Sequence, residues 1–391
     1  MELPQSVRVV VSSSIGFLLQ NSLFLIAGTV IGLGWANADY HSYEDIAHGT
    51  LHFVVNEVLM CFFFAMAAKE IWEALLPGGA LSSPRKAATP LLATLGGVVG
   101  PALLYVGGAI WFSRPDLTRG WAIPCATDIA FSYLVARFVF GARHPAIPFL
   151  LLLAIADDAI GLIILAIFYP SGEVNLPIFF GCVTGAVLFN LLLLRRLKAK
   201  NFWLYVVVAG PLSWWGFHAG GIEPALALVP IIPTLPHAAK DVGLFAEQEL
   251  ATSERPTDTL NEFEHWWKNP VELILMLFGF VNAGVLMSNI GLPTGLVSVG
   301  LLLGKPVGIT LLTVMAVKLF RLDLPTGMNF RDVVVLGVMA GIGFTVALFV
   351  STVAFPTGPV LDAAKMGALF SFAAAILSFI AAKILRTKKL A

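Results

Sequence analysis

The stretch LLLAIADDAIGLIILAIF, residues 151–168, decides how the whole chain is read. Two adjacent aspartates, Asp157 and Asp158, interrupt an otherwise continuous apolar run. A run of this length suits a helix crossing a bilayer, which needs about 20 predominantly apolar residues. An ionised side chain at that depth costs about 2.5 to 3.5 kcal/mol on insertion scales. Small and hydroxyl side chains hold membrane helices together at lower cost. Two carboxylates here therefore read first as functional groups and only second as structural charges met by neighbouring helices. Successive residues point about 100° apart around a helix, so one carboxylate can face a cavity while the other faces a partner.

The same apolar texture extends outward in both directions. Twelve segments are expected to span a membrane: 15–35, 51–68, 87–112, 121–138, 147–168, 176–194, 202–217, 222–235, 271–290, 296–317, 333–355 and 363–384. They are helices rather than barrel strands, because they are continuously apolar where barrel strands alternate over about 10 residues. Of 391 residues, 58% are hydrophobic and 12% charged, with a mean hydropathy of +0.86. Soluble domains carry about 25% charged residues, so an ordinary soluble enzyme and a disordered chain are both excluded. The 24 Lys and Arg balance the 24 Asp and Glu. No net field attracts a polyanion, and no nucleic-acid partner is expected. The expected fold is an all-α polytopic membrane protein of about twelve transmembrane helices, with the bilayer as its partner, forming one transmembrane domain over 1–391. The stretch 237–269 is hydrophilic and too short for a core of its own. It reads as a cytoplasmic loop with a surface helix over 260–267. Cys61, Cys125 and Cys182 lie in apolar stretches with no disulfide or metal spacing and read as packing residues. The opening MELPQSVRVVVSSS has no small-residue cleavage site, so no removed signal peptide is expected.

Twelve spans place both termini on one side. Every Lys and Arg except Arg114, Arg119, Lys305 and Lys365 falls in the connections on the side of the termini. Positive residues mark the cytoplasmic side, so both termini are expected there.

Three further interruptions stand out. Pro124-Cys125-Ala126-Thr127-Asp128 breaks the fourth span: Pro124 removes a backbone donor, and Thr127 and Asp128 can satisfy freed groups. Gly304-Lys305-Pro306 puts a lysine near the centre of the tenth span, where one of the buried carboxylates is its natural partner. Gly341-Ile342-Gly343-Phe344-Thr345 is a flexible break in the eleventh. The fourth and eleventh spans are seven apart and so cross the bilayer in opposite directions. Two broken helices in that relation are the signature of inverted repeats meeting at the midplane, where ions are bound.

At GWAIPCATDIAF, AIADDAIGLIILAIFY, FVNAGV, GKPVGI and VMAGIGFTVALFVSTVAF the chain resembles the NhaA family of bacterial sodium/proton antiporters. The resemblance covers most of the chain from Asn56 onward. It implies an inner-membrane protein of twelve helices, with two interrupted helices crossing at the midplane, that exports Na⁺ or Li⁺ in exchange for protons in sodium and pH homeostasis. More than one proton per sodium is implied, so that transport moves net charge. Asp157 and Asp158 would be the ion- and proton-binding carboxylates, with Thr127 beside them as a further oxygen ligand to the transported ion. Asp128 would offset the positive half-helix ends at the crossing, and Lys305 the negative ends while pairing with Asp157. No resident cofactor is implied, and a homodimer is open to such a protein.

There are departures. The family has a Glu-x-x-Arg-Glu cluster after the second span, linked to pH response; here the chain reads Lys69-Glu70-Ile71-Trp72-Glu73-Ala74. Glu70 matches the first Glu, but the Arg and second Glu are absent. Glu223, in Gly221-Ile222-Glu223-Pro224-Ala225, stands where the family has a His, close to the expected outer interface. Glu264 and His265 match an acidic and a His position at the start of the ninth helix, and Asn56-Glu57 an Asn-Asp pair. Glu70, Glu73, Glu223, Glu264 and His265 are the regulatory candidates.

The chemistry of the residues agrees. Na⁺ takes hard oxygen ligands, which carboxylates, a Thr hydroxyl and unwound carbonyls supply. Crowded, desolvated carboxylates hold protons more firmly than free ones, so one site can take either a proton or Na⁺, and that competition is antiport. A sodium-coupled solute symporter is the alternative, since broken-helix crossings also serve those proteins, but it needs a roomier cavity. An intramembrane enzyme finds no buried Ser/His or His/Glu set at helical spacing, so none is expected.

Overall fold

The computed structural model describes residues 23–237 and 258–390, apart from the side chains of 84–86 and 193. Among these residues every regular element is a helix. Helix α1 (Leu23–Ala38) carries the described part of the first expected span, whose start, with Arg8, lies outside the described residues. A short α2 (Tyr40–Ala47), not expected from hydropathy, follows because Asp39 caps it, accepting from the Ser42 N–H at 3.2 Å. Then come α3 (Thr50–Leu75), α4 (Pro84–Trp111), the 3-10 stretch Pro115–Cys125, α5 (Ile129–Phe140), α6 (Ala146–Phe168), α7 (Leu176–Leu188) and α8 (Phe202–Ala219). The second half holds α9 (Thr259–Ala283), α10 (Leu292–Lys318), α11 (Phe330–Ala340), α12 (Phe344–Ala354) and α13 (Pro359–Leu385). Five of these helices are individually long and apolar enough to cross a bilayer. Two further spans are bent pairs: the 3-10 stretch with α5, at 54°, and α11 with α12, at 49°. Large apolar side chains such as Trp111 and Ile384 are left bare on the outside, as lipid-facing surfaces require. The chain is a polytopic membrane protein with two interrupted helices.

Two expectations need correction. The segment 222–235 is not an α-helix. It winds through the 3-10 turns Pro224–Leu226 and Ile232–Thr234, with mostly i to i+3 bonds between them. Pro224, Pro230 and Pro233 each lack the N–H an α-helix uses, and the tighter 3-10 rise of about 2.0 Å per residue stretches the short segment further across the bilayer. The surface helix 260–267 and the span 271–290 are instead one helix, α9, running through Pro270. Asp258 starts it by accepting from the Asn261 N–H at 2.8 Å. Leu260, Phe263 and Trp267 are buried, so its first turns are packed rather than lying on a surface. It stops at Ala283, where the Tyr43 hydroxyl donates to the carbonyls of Phe280 and Val281, at 2.7 and 2.9 Å. Of the expected loop, 238–257, with Lys240 and Arg255, lies outside the described residues.

The helices α4 and α10 cross through glycines. Gly96, Gly100, Gly304 and Gly308 let the two backbones touch; a side chain at Gly304 would begin 2.7 Å from the Cα of Pro101. Such small-xxx-small contacts replace the hydrophobic effect, which gives no drive between helices in lipid. A π-turn at Gly300–Gly304 immediately precedes Lys305. Together these features bring Lys305 into the centre of the molecule.

Candidate functional site

The two helix breaks lie against each other. The Asp128 N–H donates to the Ile342 carbonyl at 2.7 Å, the Thr127 hydroxyl to the Ala340 carbonyl at 3.1 Å, and the Ser132 hydroxyl to the Met339 carbonyl at 3.1 Å. Residues 126–128 are extended rather than helical, so two half-helices begin here. Their first N–H groups are orphaned and carry the positive end of the helix dipole. Asp128 answers both. One oxygen accepts from the Phe131 N–H of its own helix α5 at 3.3 Å. The other accepts from the Thr345 N–H of α12 at 3.3 Å and from the Thr345 hydroxyl. Helix α12 has no side-chain cap of its own at Gly343.

The opposite polarity is met by Lys305, which is fully buried. Its ammonium donates to the carbonyl of Cys125, the last residue of the 3-10 stretch, and to Oδ2 of Asp157 at 2.7 Å. Asp157 is also buried, and its Oδ1 finds no partner among the described residues. Asp158, one residue on, points elsewhere, and its Oδ1 likewise finds none. Both aspartates line a cavity of about 10 Å³ with Phe63, Phe64, Ala126 and Gly161. That is about the room one water-sized particle needs. Glu70, Asp128, Asp157 and Lys305 all lie within electrostatic reach of Asp158.

Thus Asp157 and Asp158 line one cavity, with Lys305 bound to Asp157 behind it and Ala126 and Val346, beside the Thr127 and Asp128 crossing, forming part of its wall. Of the regulatory candidates, Glu73 and Glu264 come together at Lys69 with Glu70 close by, while Glu223 and His265 lie apart from them. Lys69 is buried between Glu73, one helical turn on, and Glu264 of α9. Glu70 is half-buried, within electrostatic reach of Lys69 and Glu264 of that triad as well as of Asp158. His265 is exposed on the other face of α9. Glu223 is buried; its Oε1 accepts from the Ala225 N–H at 3.4 Å at the head of the 3-10 segment. Nearby, Glu57 takes His218 as its partner at 3.7 Å, and the Cys61 thiol donates to the Pro224 carbonyl at 3.2 Å.

Four participants escaped the sequence reading. Lys69 centres the triad, and its i, i+4 spacing to Glu73 was the available signal. Thr345 lies within the quoted GIGFT, yet nothing local marks it as the partner of Asp128. The carbonyl of Cys125 leaves no trace in a sequence. Asn282, in the quoted FVNAGV, exchanges amide bonds with Asn56 at 2.8 and 3.3 Å.

A family profile described as Na+/H+ antiporter 1 matches residues 18–383. The protein named Na(+)/H(+) antiporter NhaA in Jannaschia sp. strain CCS1 is 50% identical over 417 residues, covering 95% of this chain and 98% of its own. Its namesakes in Desulfitobacterium hafniense strain DSM 10664 / DCB-2 and Geobacter sulfurreducens are each 47% identical, covering 96% of this chain and 97% and 99% of theirs. The solved structure of the sodium proton antiporter MjNhaP1 from Methanocaldococcus jannaschii aligns over 97% of this chain and 95% of its own, with a TM-score of 0.53 at 15% identity, a likeness of fold. By the family match along nearly its whole length and by relatives half identical to it, the chain belongs to the Na+/H+ antiporter 1 family.

Proposed function

We propose that this protein is a sodium/proton antiporter, exchanging Na⁺ or Li⁺ for protons at Asp157 and Asp158. One observation carries the reading: adjacent carboxylates, buried Asp157 paired with Lys305 and half-buried Asp158 with no ion pair among the described residues, each with an oxygen that finds no partner there, line a single small cavity beside two broken helices. The relatives are named for this activity.

In this reading Asp158 alternates between a proton and the cation. Asp157 does the same with Lys305 as its internal counter-ion in the cation-free state. Thr127 supplies an oxygen at the edge of the site. Asp128 holds the two positive half-helix ends together, and Lys305 answers the Cys125 carbonyl at the negative end. Broken helices serve this purpose because their termini present fixed partial charges that need no reorganisation when an ion arrives. More than one proton per sodium makes the exchange electrogenic. The protein sits in the bacterial inner membrane with both termini cytoplasmic, as its Lys and Arg placement indicates. All of 1–391 belongs to one transport domain, and no resident cofactor enters the cycle. A sodium-coupled solute symporter is disfavoured by the size of the cavity at the aspartates, which admits a small ion and not an organic solute.

The test is dissipation of a pH gradient in proteoliposomes on adding NaCl, LiCl or KCl at several pH values. Na⁺ or Li⁺ should release the gradient. No response to any of them, with protein correctly inserted, would rule the reading out.

A further inference from the structure

A second cavity lies at the other ends of the broken helices. Helix α5 leaves the crossing at Asp128 and ends at Phe140, while α11 begins at Phe330 and runs into the crossing. Their outer ends meet around a cavity of about 160 Å³, closed on a third side by the C-terminal tail. The tail is held there by a bond from the Leu390 N–H to the Phe140 carbonyl at 2.8 Å. Gly141, at φ +85°, gives the tail room to pass.

The lining is cationic. Arg331 comes from the first turn of α11, and Arg386 and Lys388 come from the tail, with Asn329 and Thr387 between them. The positive end of α11 opens on the same space. The one lining acid, Asp332, is buried and already committed: its Oδ2 accepts from the Asn329 N–H at 2.8 Å as part of the helix cap. His144 is the independent sign of a ligand. It lines the cavity yet is only 3% exposed. Its Nδ1 accepts from the Ala146 N–H at 3.1 Å, which places the ring proton on Nε2. No acceptor for that proton is found among the described residues. Burial lowers the pKa of His144 from its ordinary value, against an opposing pull from the Asp332 carboxylate, which favours the neutral, donating ring. Phe140, stacked on the ring with centroids 4.9 Å apart, fixes its orientation.

We infer that this cavity binds a phosphate-type oxyanion, presented by a phospholipid headgroup or as free phosphate. Three cations from two segments, a helix N-terminus and a buried N–H donor are the set that recognises a tetrahedral oxyanion. Both sources are within reach. The lipid-exposed Ile384 lies two residues before Arg386, and Phe138 on α5 is likewise bare to lipid, so the cavity opens at the membrane boundary. There juxtamembrane basic residues attract anionic headgroups. The occupant would tie together the outer ends of both broken spans, independently of how the aspartates handle their ions.

The test uses the full-length protein in a neutral detergent, with thermal unfolding followed as a function of added short-chain phosphatidylglycerol and, separately, inorganic phosphate. The parent is compared with Arg386→Gln/Lys388→Gln, and with Lys198→Gln/Lys200→Gln as a control for loss of surface charge elsewhere. The parent and control should be stabilised in a saturable manner, and the first variant should need at least about tenfold more ligand for the same shift, as expected from losing even one charge-assisted contact. His144→Phe should weaken binding in the same direction while leaving the net charge at neutral pH unchanged. A response to phosphatidylglycerol alone identifies the headgroup as ligand, and a response to both identifies the phosphate group itself. No saturable shift with either probe, or an equal shift in Arg386→Gln/Lys388→Gln, overturns the inference.

Discussion

Lys305 stands 2.7 Å from Oδ2 of Asp157, with both side chains buried, and the same ammonium donates to the Cys125 carbonyl at the end of a half-helix. One cation thus serves a carboxylate and a helix terminus at once. Lys305→Ala would strip both partners. Removing one member of a buried pair costs about 3 to 5 kcal/mol, because it leaves an uncompensated charge. The expected result is a lower unfolding temperature in detergent and an altered pH profile of transport. Adding Asp157→Asn to Lys305→Ala should restore part of the stability, since the orphaned charge goes with it. A single mutant as stable as the parent would place Lys305 outside the pair.

Asp158 differs from Asp157 in making no ion pair among the described residues. Asp158→Asn should therefore abolish cation-driven proton movement in proteoliposomes while leaving stability equal to or above the parent's. A neutral amide binds neither a proton nor Na⁺ tightly, and it is cheaper to bury than a carboxylate. Asp157→Asn should impair transport and also lower stability, because it strands Lys305. Normal transport by Asp158→Asn at equal expression would remove Asp158 from the site.

Much of this was legible in the residues. The double aspartate, the Thr-Asp break, the central lysine and the glycine break are each anomalies in apolar helices, and anomalies are what hydropathy exposes. That Lys305 pairs with a buried carboxylate followed because a buried charge needs an opposite one, and the family resemblance singled out Asp157. Other features were hidden for physical reasons. The segment 222–235 is apolar enough for a span, and hydropathy is blind to whether prolines allow an α-helix. The hydrophilic stretch up to 269 suggested a boundary before the span at 271, but burial of Leu260, Phe263 and Trp267 keeps the helix continuous across Pro270. The crossing of α4 and α10 through Gly96, Gly100, Gly304 and Gly308 depends on two small-residue repeats facing each other, and each repeat alone is commonplace.

The crossing itself predicts a mutant. Thr345 gives Asp128 both its N–H and its hydroxyl. Thr345→Val keeps the shape and the N–H but removes the hydroxyl donor, at a cost of about 1 to 3 kcal/mol for an under-satisfied buried carboxylate. A lower unfolding temperature with weakened transport is expected. Thr345→Ser, which restores the donor, should recover most of both. If valine and serine behave alike, the hydroxyl contact contributes nothing.

Lys69 lies between Glu73 and Glu264, joining α3 to α9. Lys69→Met preserves the length of the side chain and leaves two buried acids facing each other. Thermal stability should fall, and Lys69→Met/Glu264→Gln should recover part of the loss. If the double mutant is no more stable than Lys69→Met, the acids do not depend on Lys69 and the triad is not a coupled unit.

Glu223 tests whether sensing of pH resides far from the ion site. It stands where the resemblance sets a histidine, buried at the head of the 3-10 segment, within reach of Glu57 and Cys61. Free histidine titrates at about pH 6.5 and free glutamate at about 4.3, and each gains one unit of charge on protonation. A histidine there gains positive charge as pH falls, whereas a glutamate loses negative charge. Both make the position more positive in acid, so the substitution should displace a sensor's midpoint rather than reverse it. The rival account has Na⁺ and protons competing at Asp157 and Asp158 alone, in which case high sodium shifts the pH profile and remote residues do not. Glu223→His separates the two when its pH profile is measured at low and at saturating sodium. A displacement from the parent that persists at saturating sodium assigns a regulatory role to Glu223. Profiles that overlay the parent at both concentrations leave competition at the aspartates as the whole of the pH response.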